Sequence, residues 1–183
     1  EKIYVDFFEF SFKIDSFSVI FTILCILTFI NFNNMYDGIN GQSCFYYIII
    51  FIFLISKNLA PIYLSFFLIF FLFFSIYNLK NKIYLGDSGI YIISIIISVF
   101  FIFGFKNNII FLSEMICIFF VPFIDMIRLI FARLLKFENP FKGDHNHYHH
   151  ILSKKLNKIT VLSLLHLPPL ISLIILKFSY AFF

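Results

Sequence analysis

Charged residues, glycine, proline and cysteine are scarce in this chain of 183 residues, and tryptophan is absent. Only 13% of the residues are charged, whereas 61% are hydrophobic and the mean hydropathy is +0.97. Soluble domains carry about 25% charged residues, so the composition excludes a water-exposed surface for most of the chain. It predicts a protein of the lipid bilayer.

Cysteine is too rare and too scattered for a disulfide framework or a thiolate metal site. Cys25, Cys44 and Cys117 lie in or beside three different apolar stretches, so we expect them to pack against other side chains or lipid. The net charge of +4 comes mostly from one loop near the carboxy end. This charge indicates membrane topology, and no nucleic-acid partner is expected.

Six apolar runs predict about six transmembrane helices. With their polar flanks they reach the roughly 20 residues that span a bilayer core. The runs cover residues 17–30, 45–55, 61–77, 90–105, 109–124 and 161–183. Neither strand alternation nor an internal repeat interrupts them. The predicted fold class is therefore an all-α integral membrane protein, with a single transmembrane domain over residues 1–183.

The links between these runs alternate in length, which predicts the topology of the bundle. Links 57–60 and 106–108 are short, whereas links 31–43, 78–89 and 125–160 are longer and polar. Helical hairpins then place the three long links on one membrane face. Nine of the 14 Lys and Arg residues lie in these long links, and the positive-inside rule assigns that face to the cytoplasm.

Two of the long links combine a carboxylate with glycine. The first contains Asn31, Asn34, Asp37 and Gly38 at the end of a predicted helix, and an ordinary capped turn explains this pattern equally well. The second reads Tyr-Leu-Gly-Asp-Ser-Gly over residues 84–89. A carboxylate near a helix amino terminus suits a magnesium-bound diphosphate, although a turn with an N-cap is the simpler interpretation.

The third long link combines histidines with cations. It begins with Asp125, Arg128 and Arg133 and continues as Lys-Gly-Asp-His-Asn-His-Tyr-His-His over residues 142–150. This set offers metal ligands, proton-transfer groups and phosphate contacts, in a loop that we expect to face solvent. A zinc site competes, but neither a cysteine nor a second carboxylate cluster accompanies the histidines. The cations could instead anchor the loop at lipid headgroups.

Together the three links resemble the cytoplasmic motifs of the polyprenyl-phosphate N-acetylhexosamine-1-phosphate transferases, which form glycosyltransferase family 4. The family patterns are Asn-x-x-Asn-x-x-Asp-Gly, aromatic-x-Gly-Asp-x-Gly and Asp-Arg-x-His-x-His-His. The resemblance covers about residues 17–160, with His145 in place of the usual Arg or Lys. It implies a phosphoglycosyltransferase dependent on Mg²⁺, or alternatively Mn²⁺. The enzyme would move N-acetylhexosamine-1-phosphate, in particular GlcNAc-1-phosphate, from a UDP-sugar to undecaprenyl phosphate and release UMP.

The resemblance also implies roles for individual residues. Asp87 would coordinate Mg²⁺, and Tyr84 would stack on the uracil. The diphosphate would be bound or polarised by His147, His149, His150 and Asp144. The remaining substrate contacts would come from Asn31, Asn34, Asp37, Gly38, Arg128 and Arg133.

The same resemblance implies a multi-pass protein of the bacterial inner membrane that initiates a cell-envelope polysaccharide such as lipopolysaccharide, with a homodimer left open. The family carries an adjacent aspartate pair in an earlier loop, and Asp6 and Asp15 do not form one. We therefore expect a fragment of a larger polytopic transferase that lacks the amino-terminal helices and is inactive alone.

A metal-ion transporter and a non-catalytic membrane remnant are the competing functions. A transporter should hold ionisable residues at mid-membrane depth, where each costs about 2.5–3.5 kcal/mol and needs a reason. Only Glu114 and His166 come near such a position.

Overall fold

The computed structural model describes residues 3–7, 10–14, 18–137, 139 and 147–181. The chain begins with a short antiparallel hairpin formed by β1 (Ile3–Phe7) and β2 (Phe10–Ile14). This strand pair precedes the first apolar run and is an addition to the predicted fold. Everything described after it is helix, turn or loop, and the predicted all-α membrane class is confirmed.

Among the described residues, six long helices and one short helix follow the hairpin. They are α1 (Ser18–Tyr36), α2 (Gln42–Ser56), α3 (Pro61–Leu79), α4 (Gly86–Lys106), α5 (Leu112–Leu135), the short α6 (Tyr148–Ser153) and α7 (Lys158–Ala181). Within the described part of the chain, five helices are long and apolar enough to cross a membrane, namely all of the long ones except α2.

Helix α2 forms the core of the bundle. Its 15 residues span about 22 Å, which is less than the roughly 30 Å of a bilayer core. Helices α3 and α7 pack against it, and the Phe51 ring contacts the rings of Phe67 and Phe71. Most of α2 is buried, so protein rather than lipid surrounds it. A helix in that position does not need the length of a lipid-facing one.

Helices α1 and α5 continue well past the carboxy-terminal ends of their apolar stretches. The run that ends at residue 30 continues as α1 to Tyr36, and the run that ends at residue 124 continues as α5 to Leu135. Several residues expected in loops are therefore helical, namely Asn31, Asn34, Asp125, Arg128 and Arg133. A helix satisfies its own backbone hydrogen bonds, which favours its continuation through polar residues at the membrane surface.

The links α1–α2 and α3–α4 and the segment before α7 lie together at one end of the bundle, which we name the motif end. The Gly41 N–H donates to Asn78 Oδ1 at 2.6 Å, and Lys158 Nζ donates to the Leu79 carbonyl at 3.3 Å. The two short links meet at the opposite end, where Lys57 Nζ lies 2.6 Å from the Glu114 carboxylate. The alternation of hairpins predicted from link lengths is therefore observed.

Candidate functional site

A tight turn carries the first motif from α1 into α2. Gly41 precedes α2 with φ of +97°, a left-handed conformation that favours glycine, and a Cβ there would stand 2.8 Å from Leu79 Cδ2. Asn78 Oδ1 accepts the Gly41 N–H, and Asn78 Nδ2 donates to the Ile83 carbonyl at 2.8 Å. Asn78 therefore joins the first two motif links through a single side chain.

The asparagines of the first motif lie in different environments along α1. Asn31 is exposed, and its side chain makes no hydrogen bond to any residue that the structure describes. Asn34 Nδ2 lies 3.5 Å from Tyr91 Oη, at the limit of a hydrogen bond. Asn33, which was not predicted as a site residue, is buried and donates to Ser94 Oγ at 2.9 Å. Contacts to α4 thus involve Asn33 and Asn34 but not Asn31.

Two carboxylates from the first two motifs lie within electrostatic reach of each other. Asp87 is exposed in the first turn of α4, where backbone N–H groups point outward. Asp37 also lies at the surface, but partial desolvation by the surrounding residues raises the pKa of its carboxyl above the usual range. The nearby Ser43 hydroxyl opposes the rise, and the charge of Asp87 adds to it. Tyr84 leaves 67% of its surface exposed just before this helix turn.

This donor set fits a magnesium site. Mg²⁺ is usually held by one or two carboxylates, with water and substrate phosphate oxygens completing the octahedron. Asp87 offers an exposed carboxylate oxygen, with the exposed Asp37 carboxylate as a second one, and oxygen ligands suit a hard cation such as Mg²⁺.

Two of the histidines are buried instead of facing solvent. His147 is 7% exposed and His149 is 1% exposed, so the expectation of a solvent-facing histidine loop was wrong for both. The His149 imidazole lies directly against Gly38, where an added Cβ would overlap the ring. The His147 and His149 rings stack with centroids 5.2 Å apart, and the His150 ring centroid lies 4.2 Å from that of His149. The first and third motifs therefore meet through Gly38 and His149.

The surroundings of His149 keep its imidazole neutral. Burial, with smaller contributions from His150 and His147, lowers the pKa of His149 to about 3, and Asp125 opposes the shift. Its Nδ1 lies 3.5 Å from Gln42 Nε2, and its Nε2 has no hydrogen-bond partner in the described part of the chain. A neutral imidazole is a hydrogen-bonding or ligand group and not a permanent cation.

Asp125 was predicted within the third link but was given no individual role, and it connects the histidine segment to α5. Its Oδ1 accepts from Arg128 Nη2 at 2.8 Å and from the Tyr148 N–H at 3.1 Å, and its Oδ2 lies 3.0 Å from His147 Nδ1. The Arg128 guanidinium also lies over the Tyr148 ring, with Cζ 4.4 Å from the centroid. The sequence signal was a carboxylate beside an apolar run, which is costly in a membrane helix and therefore indicates a function.

The other predicted residues of the third motif are placed less centrally. Arg128 is engaged by Asp125, and Arg133 is buried one to two turns further along α5. Asp144 lies outside the described residues. Asp125, His147 and His149 offer three ligand atoms within 4.8 Å of one another, a group that could hold a metal ion.

A cavity of about 430 Å³ lies beside this meeting point of motifs. It is lined by Gly38, Ile39, Asn40, Ser153, Leu156 and Lys158. Its walls come from the first motif and from the segment between α6 and α7, so it adjoins the contact of Gly38 with His149. Lys158 supplies a positive charge at its edge.

Comparison with known proteins identifies the family of this chain. A family model described as glycosyl transferase family 4 matches residues 2–105, more than half of the chain, and this range contains the first two motifs. No curated protein and no solved structure matches. The resemblance found in the motifs is thus confirmed at the level of the family. The chain belongs to glycosyl transferase family 4, whose members act on a nucleotide sugar and a polyprenyl phosphate in a membrane.

Proposed function

We propose that this protein transfers GlcNAc-1-phosphate from UDP-GlcNAc to undecaprenyl phosphate, releases UMP, and thereby initiates a cell-envelope polysaccharide. The main support is the convergence of the three motif links at one end of the bundle. There, Gly38 contacts His149, and Asp37 lies within electrostatic reach of Asp87. We place the motif end on the cytoplasmic side of the bacterial inner membrane, where UDP-sugars are available.

The proposed reaction is an in-line phosphoryl transfer. A phosphate oxygen of the lipid carrier forms a bond to the β-phosphorus of the UDP-sugar, while the bond from this phosphorus to the bridging oxygen breaks and UMP leaves. Positioning and charge neutralisation supply most of the catalysis in such reactions. Asp87 would hold Mg²⁺, which neutralises diphosphate charge when bound, and Asp37 would contact the nucleotide sugar.

Residues of this chain would supply the remaining contacts. The exposed Tyr84 ring offers an apolar face for the uracil. The cavity beside Gly38 offers space for a polar part of the substrates, with Lys158 as a cation for phosphate. The lipid tail would lie against the exposed apolar faces of the helices. Turnover would further require the aspartate pair that the family carries in an earlier loop.

Asp87→Asn tests the proposed function. In the protein expressed from its complete gene, we expect Mg²⁺-dependent release of UMP to fall at least about a hundredfold, because the change removes the negative charge that would hold Mg²⁺ against the diphosphate. The matched control is Ser88→Ala, which alters the exposed neighbour in the same helix turn without removing charge and should keep near wild-type turnover. Unchanged turnover in Asp87→Asn would remove this carboxylate from the site.

Metal-ion transport is the alternative that a specific observation favours, namely the group formed by Asp125, His147 and His149. The two ionisable residues considered for a transport path are, however, engaged within the protein. Glu114 pairs with Lys57 at a bundle end, and His166 lies between two carbonyl oxygens. We expect purified protein to carry no stoichiometric zinc. One tightly held zinc per chain, together with unfolding on its chelation, would favour the alternative.

A further inference from the structure

We propose that Asp125 is the positioning residue for His147, and that it holds the imidazole so that Nε2 is the ring nitrogen presented to the substrate diphosphate. The contact of His147 with the diphosphate rests on the proposed function. The pairing of Asp125 with His147 rests on the geometry alone.

The hydrogen bond between the two side chains fixes the tautomer. An ionised carboxylate can only accept, so the 3.0 Å contact of Asp125 Oδ2 requires the proton to be on His147 Nδ1. Nε2 is then the nitrogen left for a ligand. A carboxylate that orients histidine in this way also fixes the plane of the ring, as it does for histidines that bind metals.

A second hydrogen bond restrains the backbone beside the same histidine. Asp125 Oδ1 accepts the N–H of Tyr148, the residue that follows His147, at 3.1 Å. Asp125 lies within α5, so the position of His147 is set relative to a membrane helix instead of a loop. Both restraints come from a carboxylate that is only 3% exposed, where competition from water is weak.

The same contacts argue against a metal ion at this group. Arg128 Nη2 lies 2.8 Å from Asp125 Oδ1, and a second cation close to this carboxylate would be repelled by the guanidinium. His149 Nε2 faces the backbone of Gly38 and not open space. The carboxylate is therefore engaged by an arginine, a histidine and a backbone amide.

Asp125→Asn separates positioning from structural support. Asparagine keeps Oδ1 as acceptor for Arg128 and Tyr148, but it turns an amide donor toward His147 Nδ1. The imidazole must then accept at Nδ1 and carry its proton on Nε2. We expect kcat for UMP release to fall about 10- to 100-fold, the usual effect of losing a partner that orients an active-site histidine, with a smaller change in KM for UDP-GlcNAc.

Two measurements on the full chain test the proposal. The first is ¹⁵N NMR of protein labelled at histidine, which reports whether Nδ1 or Nε2 carries the proton. The signal of His147 is assigned as the one that disappears in His147→Gln. We expect protonated Nδ1 in the wild type and unprotonated Nδ1 in Asp125→Asn. The second is a double-mutant cycle, in which Asp125→Asn should cost less than about threefold in kcat once His147 is glutamine, because coupled residues are non-additive.

Glu114→Gln is the matched control, since Glu114 is the other buried carboxylate of α5 and lies at the opposite end of the bundle. It should lower stability without changing the His147 tautomer or kcat. An unprotonated Nδ1 in the wild type, equal losses of kcat in both backgrounds of the cycle, or stoichiometric zinc bound at this group would each overturn the positioning role. If the complete gene product releases no UMP from UDP-GlcNAc, the proposed function fails, whereas the tautomer measurement still decides the pairing of Asp125 with His147.

Discussion

Gly38 and His149 show how one residue of the first motif depends on one residue of the third. The His149 imidazole occupies the space that a side chain at position 38 would need, and the ring is 1% exposed. A glycine at this position therefore permits close packing of an imidazole on the backbone. Replacement of His149 should lower stability as well as transfer, in contrast to the effect expected for a solvent-facing histidine.

Gly38→Ala should destabilise the protein by about 1–3 kcal/mol, the usual cost of overpacking, because its Cβ would overlap the His149 ring. Thermal unfolding in detergent measures the loss. In a His149→Ala background the same change should cost little, since the overlap is gone. Gly86→Ala is the control for backbone strain, because Gly86 has φ of +66° and open space around it. Equal losses from Gly38→Ala in both backgrounds would contradict this steric explanation.

The sequence predicted which end of the bundle carries the motif residues better than it predicted their environment. Among the described residues, Asp37, Gly38, Asp87, His147, His149 and His150 lie at the motif end as expected. The burial of His149 and the part played by Asp125 were missed. Both depend on contacts between residues far apart in the chain, and such contacts have no local signal in hydropathy.

At the scale of elements, the extension of α1 and α5 beyond their apolar runs decides where polar side chains lie. Hydropathy marks the lipid-facing stretch but not the end of the helix, because a helix continues wherever its backbone bonds are satisfied. Asp125 and Arg128 are thereby held on a rigid helix and not in a flexible loop. The shortness of α2 also follows from its position, because a helix at the centre of the bundle is surrounded by other helices and does not have to span the lipid.

A second element-scale feature is the contact between the two short links at the other end of the bundle. Glu114 accepts from Lys57 Nζ at 2.6 Å and from the backbone N–H of Phe111 at 3.0 Å. The Lys57 ammonium also lies 5.6 Å from the Phe111 ring centroid. These contacts join the α2–α3 and α4–α5 links.

Glu114→Gln should lower stability by about 1–3 kcal/mol, less than the full cost of breaking a buried pair because the Lys57 side chain is 22% exposed. Glutamine keeps an acceptor for the Phe111 N–H, so the loss reports mainly on the ion pair. The unfolding midpoint in detergent, compared with Lys57→Met and with the double variant, measures it. A double variant whose loss equals the sum of the two single losses would show that the pair contributes nothing.

For the molecule as a whole, link lengths predicted the arrangement of the bundle correctly. Short links join helices at one end, and the polar links come together at the other, as the contacts of Asn78 and Lys158 show. Each helix crosses the bundle from one end to the other, so successive links must alternate between the two ends. This alternation could be predicted without any tertiary contact. The packing order of the helices could not, because aromatic residues are spread through every apolar run.

The side of the membrane on which the motif end lies is a prediction for the whole molecule. Lys and Arg are concentrated in the long links, so we expect the motif end to face the cytoplasm. The measurement is labelling of single cysteines at Asn40 and Lys82, both at the motif end, with a membrane-impermeant maleimide, in variants that lack the three native cysteines. Asn108, at the opposite end, is the matched control site. In intact spheroplasts Asn108→Cys should be labelled and the other two should not, and permeabilisation should make all three reactive. Labelling of Asn40→Cys or Lys82→Cys from outside would reverse the orientation and place the proposed site away from cytoplasmic UDP-sugars.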